Sequence, residues 1–267
     1  MSAIADTRDV KTLVAEAFSR AAASYDDLAC VQKTSGLHLL DRASGLQPIR
    51  ILDIGCGSGW MCRHLMERFP HATLWVLDLA PGMVGHVRDH VAGLGGLVQA
   101  DMEALPFRDS TFDLLYSNFA MQWLDAPERF FADAYRLLVP GGTLCCSTLL
   151  PGTLRELGEA WAGADGRTHV NRFLPAERVL QAARDVGFRV LHRQETSIVH
   201  YADVFALIHA LKGIGANTLT AAPRPAGGLA GRRALQAMQA VYERYREPQG
   251  LPATYEVLYC TLTRPAT

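Results

Sequence analysis

Three glycines and an acid form the stretch of this chain whose residue types and spacing most clearly indicate chemistry. Residues 49–54 are a short, apolar, β-branched run, which is typical of a buried parallel strand. Gly55, Gly57 and Gly59 follow, and then comes a helix-like segment over residues 60–69. Glycines in such a turn let the backbone approach a ligand closely or adopt positive φ. A strand, a glycine-rich turn and a helix in this order predict a nucleotide-type binding site.

The acid before the turn indicates what kind of ligand this site accepts. The glycine spacing is GxGxG, not the GxGxxG of dinucleotide-binding proteins, and Asp53 stands two residues before the first glycine. A carboxylate at that point would repel a pyrophosphate. Asp53 therefore favours a ligand that is cationic, or rich in hydrogen-bond donors, near the glycine turn.

Polar residues end the next three predicted strands as well. Asp78 closes residues 73–78, roughly 20 residues after the glycines, where a carboxylate can accept both hydroxyls of a ribose. Asp101 lies at the end of residues 97–102, and Asn118 at the end of residues 111–118. Each residue alone fits a helix cap or a turn. Because ligands bind at the carboxyl ends of parallel strands, their succession favours one shared site.

These motifs resemble those of the class I, Rossmann-like methyltransferases, which use S-adenosylmethionine and release S-adenosylhomocysteine. The resemblance implies that Asp101 and Met102 contact the adenine, and that an N-terminal helical lid bearing an aromatic hydroxyl closes the site. The residues expected to bind the cofactor are Asp53, Gly55, Cys56, Gly57, Gly59, Asp78, Leu79, Asp101, Met102 and Asn118.

A narrower resemblance covers nearly the whole chain, from about residue 10 to residue 259. The chain is similar to the malonyl-acyl-carrier-protein O-methyltransferases of biotin synthesis in several segments. The most specific of these segments are NRFLP at residues 171–175 and LKGIGAN at residues 211–217. The other similar segments are residues 18–26 with Gln32, 117–118, 122–124, 156–157 with Trp161, and 254–257.

The narrower resemblance implies methylation of the free carboxylate of malonyl-acyl-carrier protein, or of malonyl-CoA, which initiates pimeloyl synthesis. Two alternatives remain open. One is a class I methyltransferase acting on another small carboxylate or a quinone-type acceptor. The other is a cofactor-binding protein without catalysis.

Four residues are the candidates for the methyl-transfer site. A malonyl carboxylate is already ionised near neutral pH, so no general base is required and positioning can supply the catalysis. Tyr25 of the lid and Arg172 of NRFLP are the candidates for holding the carboxylate, and Gln122 and Trp123 for lining the channel. Tyr25 could instead cap the cofactor, Arg172 could pair with a surface acid, and Trp123 could belong to the core. No metal site is predicted.

The predicted fold is α/β: a doubly wound, mostly parallel sheet with an antiparallel C-terminal edge strand. Residues 1–45 form the helical lid and residues 46–150 the cofactor-binding core. Residues 151–267 add substrate- and carrier-recognition helices and closing strands to the same domain.

Composition and charge indicate which kinds of partner and which cellular compartment to expect. The chain has 267 residues, a formal net charge of −1 and 49% hydrophobic residues, which argues against a nucleic-acid binder. Residues 151–267 carry 14 basic against 10 acidic residues, so the helix predicted at 229–246 and Lys212 are candidates for docking an acidic carrier protein. The six cysteines form no CxxC pair, and the N-terminus has no apolar leader. We expect a cytoplasmic, membrane-free monomer.

Overall fold

A single mixed sheet forms the centre of the fold. The computed structural model describes residues 7–124, 126–167, 169–216 and 229–266. Within these ranges the sheet has the strands β1 (Arg50–Ile54), β2 (Thr73–Asp78), β3 (Gly96–Gln99), β4 (Phe112–Asn118), β5 (Leu138–Leu149), β6 (Arg189–Tyr201) and β7 (Leu251–Thr263). Their order is β3-β2-β1-β4-β5-β7-β6, and β1 to β5 are parallel. Because the order reverses beside β1, the switch point lies between β1 and β4.

Helices cover both faces of the sheet. They are α1 (Thr7–Ala21), α2 (Tyr25–Leu28), α3 (Cys30–Asp41), α4 (Trp60–Arg68), α5 (Pro81–His90), α6 (Pro127–Leu137), α7 (Arg155–Asp165), α8 (Ala176–Val186), α9 (Val204–Gly213) and α10 (Leu229–Tyr242). Successive residues of β1 point to opposite faces: Ile51 belongs to the core cluster that includes residues of α3, α4, α7 and α9, and Leu52 to the cluster that includes residues of α6 and α8. The α/β, doubly wound prediction is confirmed.

The C-terminal strand is antiparallel, as predicted, and lies one position inside the edge of the sheet. β7 pairs with β5 on one side and with β6 on the other. The outermost strand is therefore β6, where the sequence predicts one strand beginning at residues 187–191 and a second at residues 196–201. Pairing with β7 over the whole length, from Arg189 opposite Thr263 to Tyr201 opposite Leu251, keeps β6 continuous.

Several boundaries differ from the predictions. The apolar spacing of residues 10 to about 28 predicts one helix, but a turn over residues 22–24 breaks it into α1 and α2. β3 ends at Gln99, so Asp101 and Met102 lie in the loop after it. The sequence predicts a helix over residues 151–161, but α7 begins at Arg155, because residues 151–154 form turns and Leu154 has a φ of 54°. Asn217, the last residue of LKGIGAN, lies outside the described residues.

No helix within the described ranges is both long enough and apolar enough to cross a bilayer.

Candidate active site

The glycine turn after β1 has the backbone conformation that its sequence requires. Gly55, Gly57 and Gly59 have φ values of 75°, 55° and 79°, which side-chain-bearing residues rarely adopt. A Cβ on Gly55 would also stand 2.6 Å from the Cβ of Ala120, so glycine is required there on two counts. The turn lies beside Ala120, just after β4, and its Gly55 and Cys56 N–H groups donate to the Leu77 carbonyl of β2.

Asp53 is the buried acid of the site. Asp53 is only 2% exposed, and it lies in β1 just before the turn. Burial, reinforced by the negative charge of Asp78, raises its pKa from 3.8 to about 7, against the lowering effect of a 3.8 Å hydrogen bond from the Cys62 thiol. An acid in this environment gains most from a cationic neighbour, because a positive charge restores the ionised form.

Asp78 holds the glycine turn from the end of β2. One of its carboxylate oxygens accepts a hydrogen bond from the Gly57 N–H at 2.9 Å, and the other accepts one from the Ala80 N–H at 2.8 Å. Burial raises its pKa in spite of these hydrogen bonds, which act to lower it. Asp78 therefore fixes the turn and still presents its carboxylate to the cavity beside it.

Asp101 is engaged by the N-terminal helix. The Lys11 ammonium in α1 pairs with Asp101 at 2.5 Å and also with Glu103, while the Glu103 N–H donates to the other Asp101 oxygen at 2.9 Å. The pKa of Lys11 is raised, because the hydrogen bonds and charges of the two acids outweigh its partial burial. The third predicted acid of the site thus ties the lid to the loop after β3.

Asn118 connects three elements around the site. Its side-chain oxygen accepts from the hydroxyls of Ser35 at 2.9 Å and Ser147 at 2.8 Å, and its amide nitrogen donates to the Gln32 carbonyl at 2.9 Å. The end of β4 is therefore held against α3 and β5.

Two adjoining cavities collect the predicted cofactor residues. A cavity of about 100 Å³ is lined by Gly55, Gly57, Asp78, Leu79, Asp101, Met102 and Asn118, together with Tyr25 and Trp123. A smaller one, of about 40 Å³, adds Asp53 and Cys56. Gly59 lines neither cavity, and it begins α4 against Val87 and Val91.

The lid closes over this region through aromatic side chains. The Phe18 ring of α1 meets Trp123 edge-on, with 5.6 Å between centroids, and lies 6.4 Å from the Tyr25 ring. The Tyr25 ring also faces Gly57, on which a Cβ would lie 3.8 Å away. Burial, with added contributions from the charges of Asp78 and Asp26, raises the pKa of Tyr25, so its phenol keeps its proton and can donate a hydrogen bond.

A larger and mainly apolar cavity lies on the other side of Trp123. Its volume is about 620 Å³, and α7, α9, α10 and the segment after α7 supply most of its wall. Gln32 and Trp123 line both this cavity and one of the cofactor-side cavities, so the spaces adjoin. Gln122 also lines it, and its buried side-chain oxygen has no hydrogen-bond partner among the described residues. A buried acceptor of this kind is suited to a ligand that brings a donor.

The NRFLP segment contributes to this cavity, though not through its arginine. Asn171 and Phe173 line the wall, whereas Arg172 is exposed and lines neither this cavity nor the two beside the glycine turn. Its role in holding a carboxylate stays a prediction.

His169 is a cavity residue that the sequence analysis did not single out. Its ring stacks on Trp161, with 4.1 Å between centroids, and its Nε2 atom lies 2.9 Å from Asp165. Although its burial acts in the opposite direction, Asp165 has a lowered pKa because of the hydrogen bonds and charges of His169 and Arg167. The i, i+4 spacing of Asp165 and His169 across a helix end was the available sequence signal.

The chain has the fold of the class I methyltransferases. A model of the methyltransferase domain matches residues 52–146. The fold is similar to that of the YcgJ protein from Bacillus subtilis, with a TM-score of 0.60 and 13% identity over 86% of this chain and 98% of that one. The [4+2]-cyclase SpnF has the same fold, with a TM-score of 0.53 and 19% identity over 88% of this chain and 81% of that one, so the fold alone does not determine the reaction.

Sequence similarity defines the family more narrowly. The chain is 46% identical to the malonyl-[acyl-carrier protein] O-methyltransferase of Hahella chejuensis, over 95% of this chain and 91% of the relative. It is 38% identical to the enzyme of that name in Laribacter hongkongensis, over 96% and 90%. The chain therefore belongs to the malonyl-[acyl-carrier protein] O-methyltransferase family. It also matches the biotin biosynthesis bifunctional protein BioHC of Cellvibrio japonicus at 40% identity, and there it spans half of the relative's length.

Proposed function

We propose that this protein transfers a methyl group from S-adenosylmethionine to the free carboxylate of a malonyl thioester carried by acyl-carrier protein. The observation that carries the proposal is the junction at Gln32 and Trp123, where the cavities beside the glycine turn adjoin the larger, mainly apolar cavity. A thioester arm fits such a cavity when its carboxylate end points toward the methyl donor. Family membership supports the same substrate, and the proposed product is a methyl ester that enters pimeloyl synthesis for biotin.

The residues around the glycine turn fit the proposed cofactor. Asp53, whose pKa is raised by burial, suits the cofactor's ammonium group, and Asp78 suits the ribose hydroxyls. Asp101 and Met102 border the end of the cavity at which we expect the adenine. When bound, S-adenosylmethionine would supply an electrophilic methyl group on a cationic sulfur, a donor whose use requires no proton transfer.

The chain's own task is then to bind, orient and exclude water. The apolar wall of the larger cavity keeps water from the reacting oxygen, and the protonated Tyr25 phenol can donate to the carboxylate or hold the lid closed. Among the described residues that line the larger cavity, the histidine is His169, and its ring nitrogen is already paired with Asp165. A mechanism without a general base agrees with this arrangement, since orientation of an ionised nucleophile is sufficient.

The three segments of the chain have separate roles in this proposal. The lid of residues 1–45 acts mainly through α1 and α2, because α3 packs in the core, where Leu39 is fully buried. Residues 46–150 bind the cofactor, and residues 151–267 receive the thioester and its carrier. For the acidic carrier we propose docking at the exposed Arg232 and Arg233 of α10, near Leu235 of the cavity wall. We propose a monomer. Free, mostly buried cysteines favour the reducing cytoplasm.

Intact-mass analysis of malonyl-acyl-carrier protein after incubation with the protein and S-adenosylmethionine tests the proposal directly. We expect a gain of one methyl group on the malonyl carrier and none on acetyl-acyl-carrier protein, which lacks the free carboxylate. Malonyl-CoA run in parallel tests whether the carrier is required. No gain on any malonyl thioester would refute the proposal and direct attention to another small carboxylate or a quinone-type acceptor.

A further inference from the structure

The larger cavity must receive an anion, and few of its described residues can balance that charge. Its described lining contains no aspartate or glutamate, and its basic side chains are those of His169 and Lys212. A carboxylate entering an apolar cavity loses hydration and needs a compensating cation or donor. The question is which of the two basic residues lies where the carboxylate reacts.

His169 already has partners in the cavity wall. Its ring stacks on Trp161 of α7, with 4.1 Å between centroids. His169 is also already paired with Asp165, and its side chain is 7% exposed.

Lys212 lies beside the lid instead. The next residue in α9, Gly213, packs so closely against α2 that a Cβ on it would stand 2.0 Å from a methyl carbon of Leu28. The Gly213 carbonyl accepts from the Ser24 hydroxyl at 3.5 Å, and a Cβ on Gly215 would stand 3.0 Å from the backbone nitrogen of Phe18. Ser24 immediately precedes Tyr25, and the Phe18 ring lies 6.4 Å from the Tyr25 ring. The base of the Lys212 side chain is therefore fixed against the element that covers the cofactor region.

The Lys212 ammonium is also available. The side chain is exposed on one side and lines the cavity on the other, and it makes no ion pair or hydrogen bond with the described residues. Arg172, the arginine expected from the sequence, is exposed and lines none of the three cavities around the site. Lys212 thus combines a charge, access to the cavity and a position next to the lid.

We infer that Lys212 pairs with the free carboxylate of the malonyl group and selects the charged substrate over its neutral methyl ester. This inference rests on the proposed function. Methylation removes the negative charge, so the same contact that holds the substrate is lost in the product. Lys212 therefore favours entry of the acid and departure of the ester.

The test compares Lys212→Met with wild type on a short malonyl thioester of N-acetylcysteamine, which has no carrier protein and no phosphate. Methionine keeps most of the apolar stem and removes the charge. We expect KM to rise about tenfold, as for loss of one partly exposed charge-assisted hydrogen bond, and Lys212→Arg to recover most of it. We also expect the wild-type preference for the malonyl thioester over its methyl ester, measured by competitive inhibition, to disappear in Lys212→Met.

Controls separate the possible outcomes. Arg184→Met removes an exposed charge from α8 on the opposite face of the sheet and should leave KM unchanged. Binding of S-adenosylhomocysteine by calorimetry should be equal in Lys212→Met and wild type, which verifies folding. An unchanged KM in Lys212→Met, a loss confined to carrier-bound substrate, or a rise only in Arg172→Met would each overturn the inference while leaving the proposed function standing. A wild-type protein inactive on every malonyl thioester would overturn both.

Discussion

Replacing Asp53 by asparagine should stabilise the protein and weaken its binding of cofactor. Burial raises the pKa of Asp53 from 3.8 to about 7, so the folded protein binds a proton between these values that the unfolded chain releases. The corresponding stability is fully present below pH 3.8 and is lost as pH rises through about 7. Since each pH unit corresponds to 1.36 kcal/mol, the ionised carboxylate costs about 4 kcal/mol at pH 8. Asparagine keeps the shape of the side chain without this cost.

Cofactor binding should show the opposite effect. With a pKa of about 7, Asp53 is roughly one-tenth ionised at pH 6 and nine-tenths ionised at pH 8, so the wild-type affinity for a cationic ligand should rise about tenfold across that range. The Asp53→Asn variant should lack this rise. The cofactor's own amino group titrates nearby, but it does so equally with both proteins, so the ratio of the two affinities isolates Asp53.

Urea unfolding at pH 4, 6, 7 and 8 and calorimetric titration with S-adenosylmethionine at pH 6, 7 and 8 measure the two quantities. The expected pattern is an Asp53→Asn variant that is more stable than wild type at pH 8 and nearly equal to it at pH 4, with weaker binding at pH 8. A variant less stable than wild type at pH 8 would refute the argument from burial. An affinity ratio independent of pH would show that Asp53 does not face the cation.

Three further predictions concern the turn, the lid and the docking surface. Gly55→Ala combines a φ of 75° with a 2.6 Å approach to a neighbouring side chain, so we expect it to lower the free energy of unfolding by more than about 2 kcal/mol. Gly45→Ala, with a φ of 89° and no neighbour within 4 Å, should lower it by only about 1 kcal/mol. If urea titrations gave the same loss for both variants, the steric contribution at Gly55 would be contradicted. Tyr25→Phe should lower kcat with little change in cofactor affinity. Because the pKa of Tyr25 is raised, the wild-type pH–rate profile should show no tyrosine ionisation up to pH 10. A loss of rate at alkaline pH that disappears in Tyr25→Phe would contradict the raised pKa. Reversing Arg232 and Arg233 together should raise KM for the carrier-bound substrate in a salt-dependent way and leave the short thioester unaffected, and a loss on both substrates would exclude docking.

The strand-end part of the site could be predicted because local sequence determines it. An apolar run followed by glycines specifies a buried strand and a turn of positive φ, and parallel strands bring their carboxyl ends to one edge. Asp53, Asp78 and Asn118 follow directly from that geometry. Asp101 follows as well, although β3 ends before it, because the loop continues along the same edge.

The substrate side of the site depends on packing between distant elements, and sequence spacing contains little information about it. Arg172 lies in a segment whose neighbours Asn171 and Phe173 face the cavity, and the side-chain directions in an irregular segment follow no period. Lys212 is brought beside the lid by the close approach of Gly213 to Leu28, a contact between residues far apart in the chain. The position of His169 also depends on packing, because its ring stacks on Trp161 of α7, the helix that precedes its segment.

The position of β7 inside the sheet has a consequence for how the chain reaches its native state during synthesis. β6 is made before β7, yet its ladder partner throughout its 13 residues is β7, so β6 and the helix α9 that follows it wait for residues 251–263. Pairings between segments so distant in the chain form slowly and leave edges exposed in the meantime. The β1 to β5 half can assemble first, and we therefore expect a ribosome-bound intermediate that carries the glycine turn in a formed sheet while the wall of the large cavity is still unbuilt.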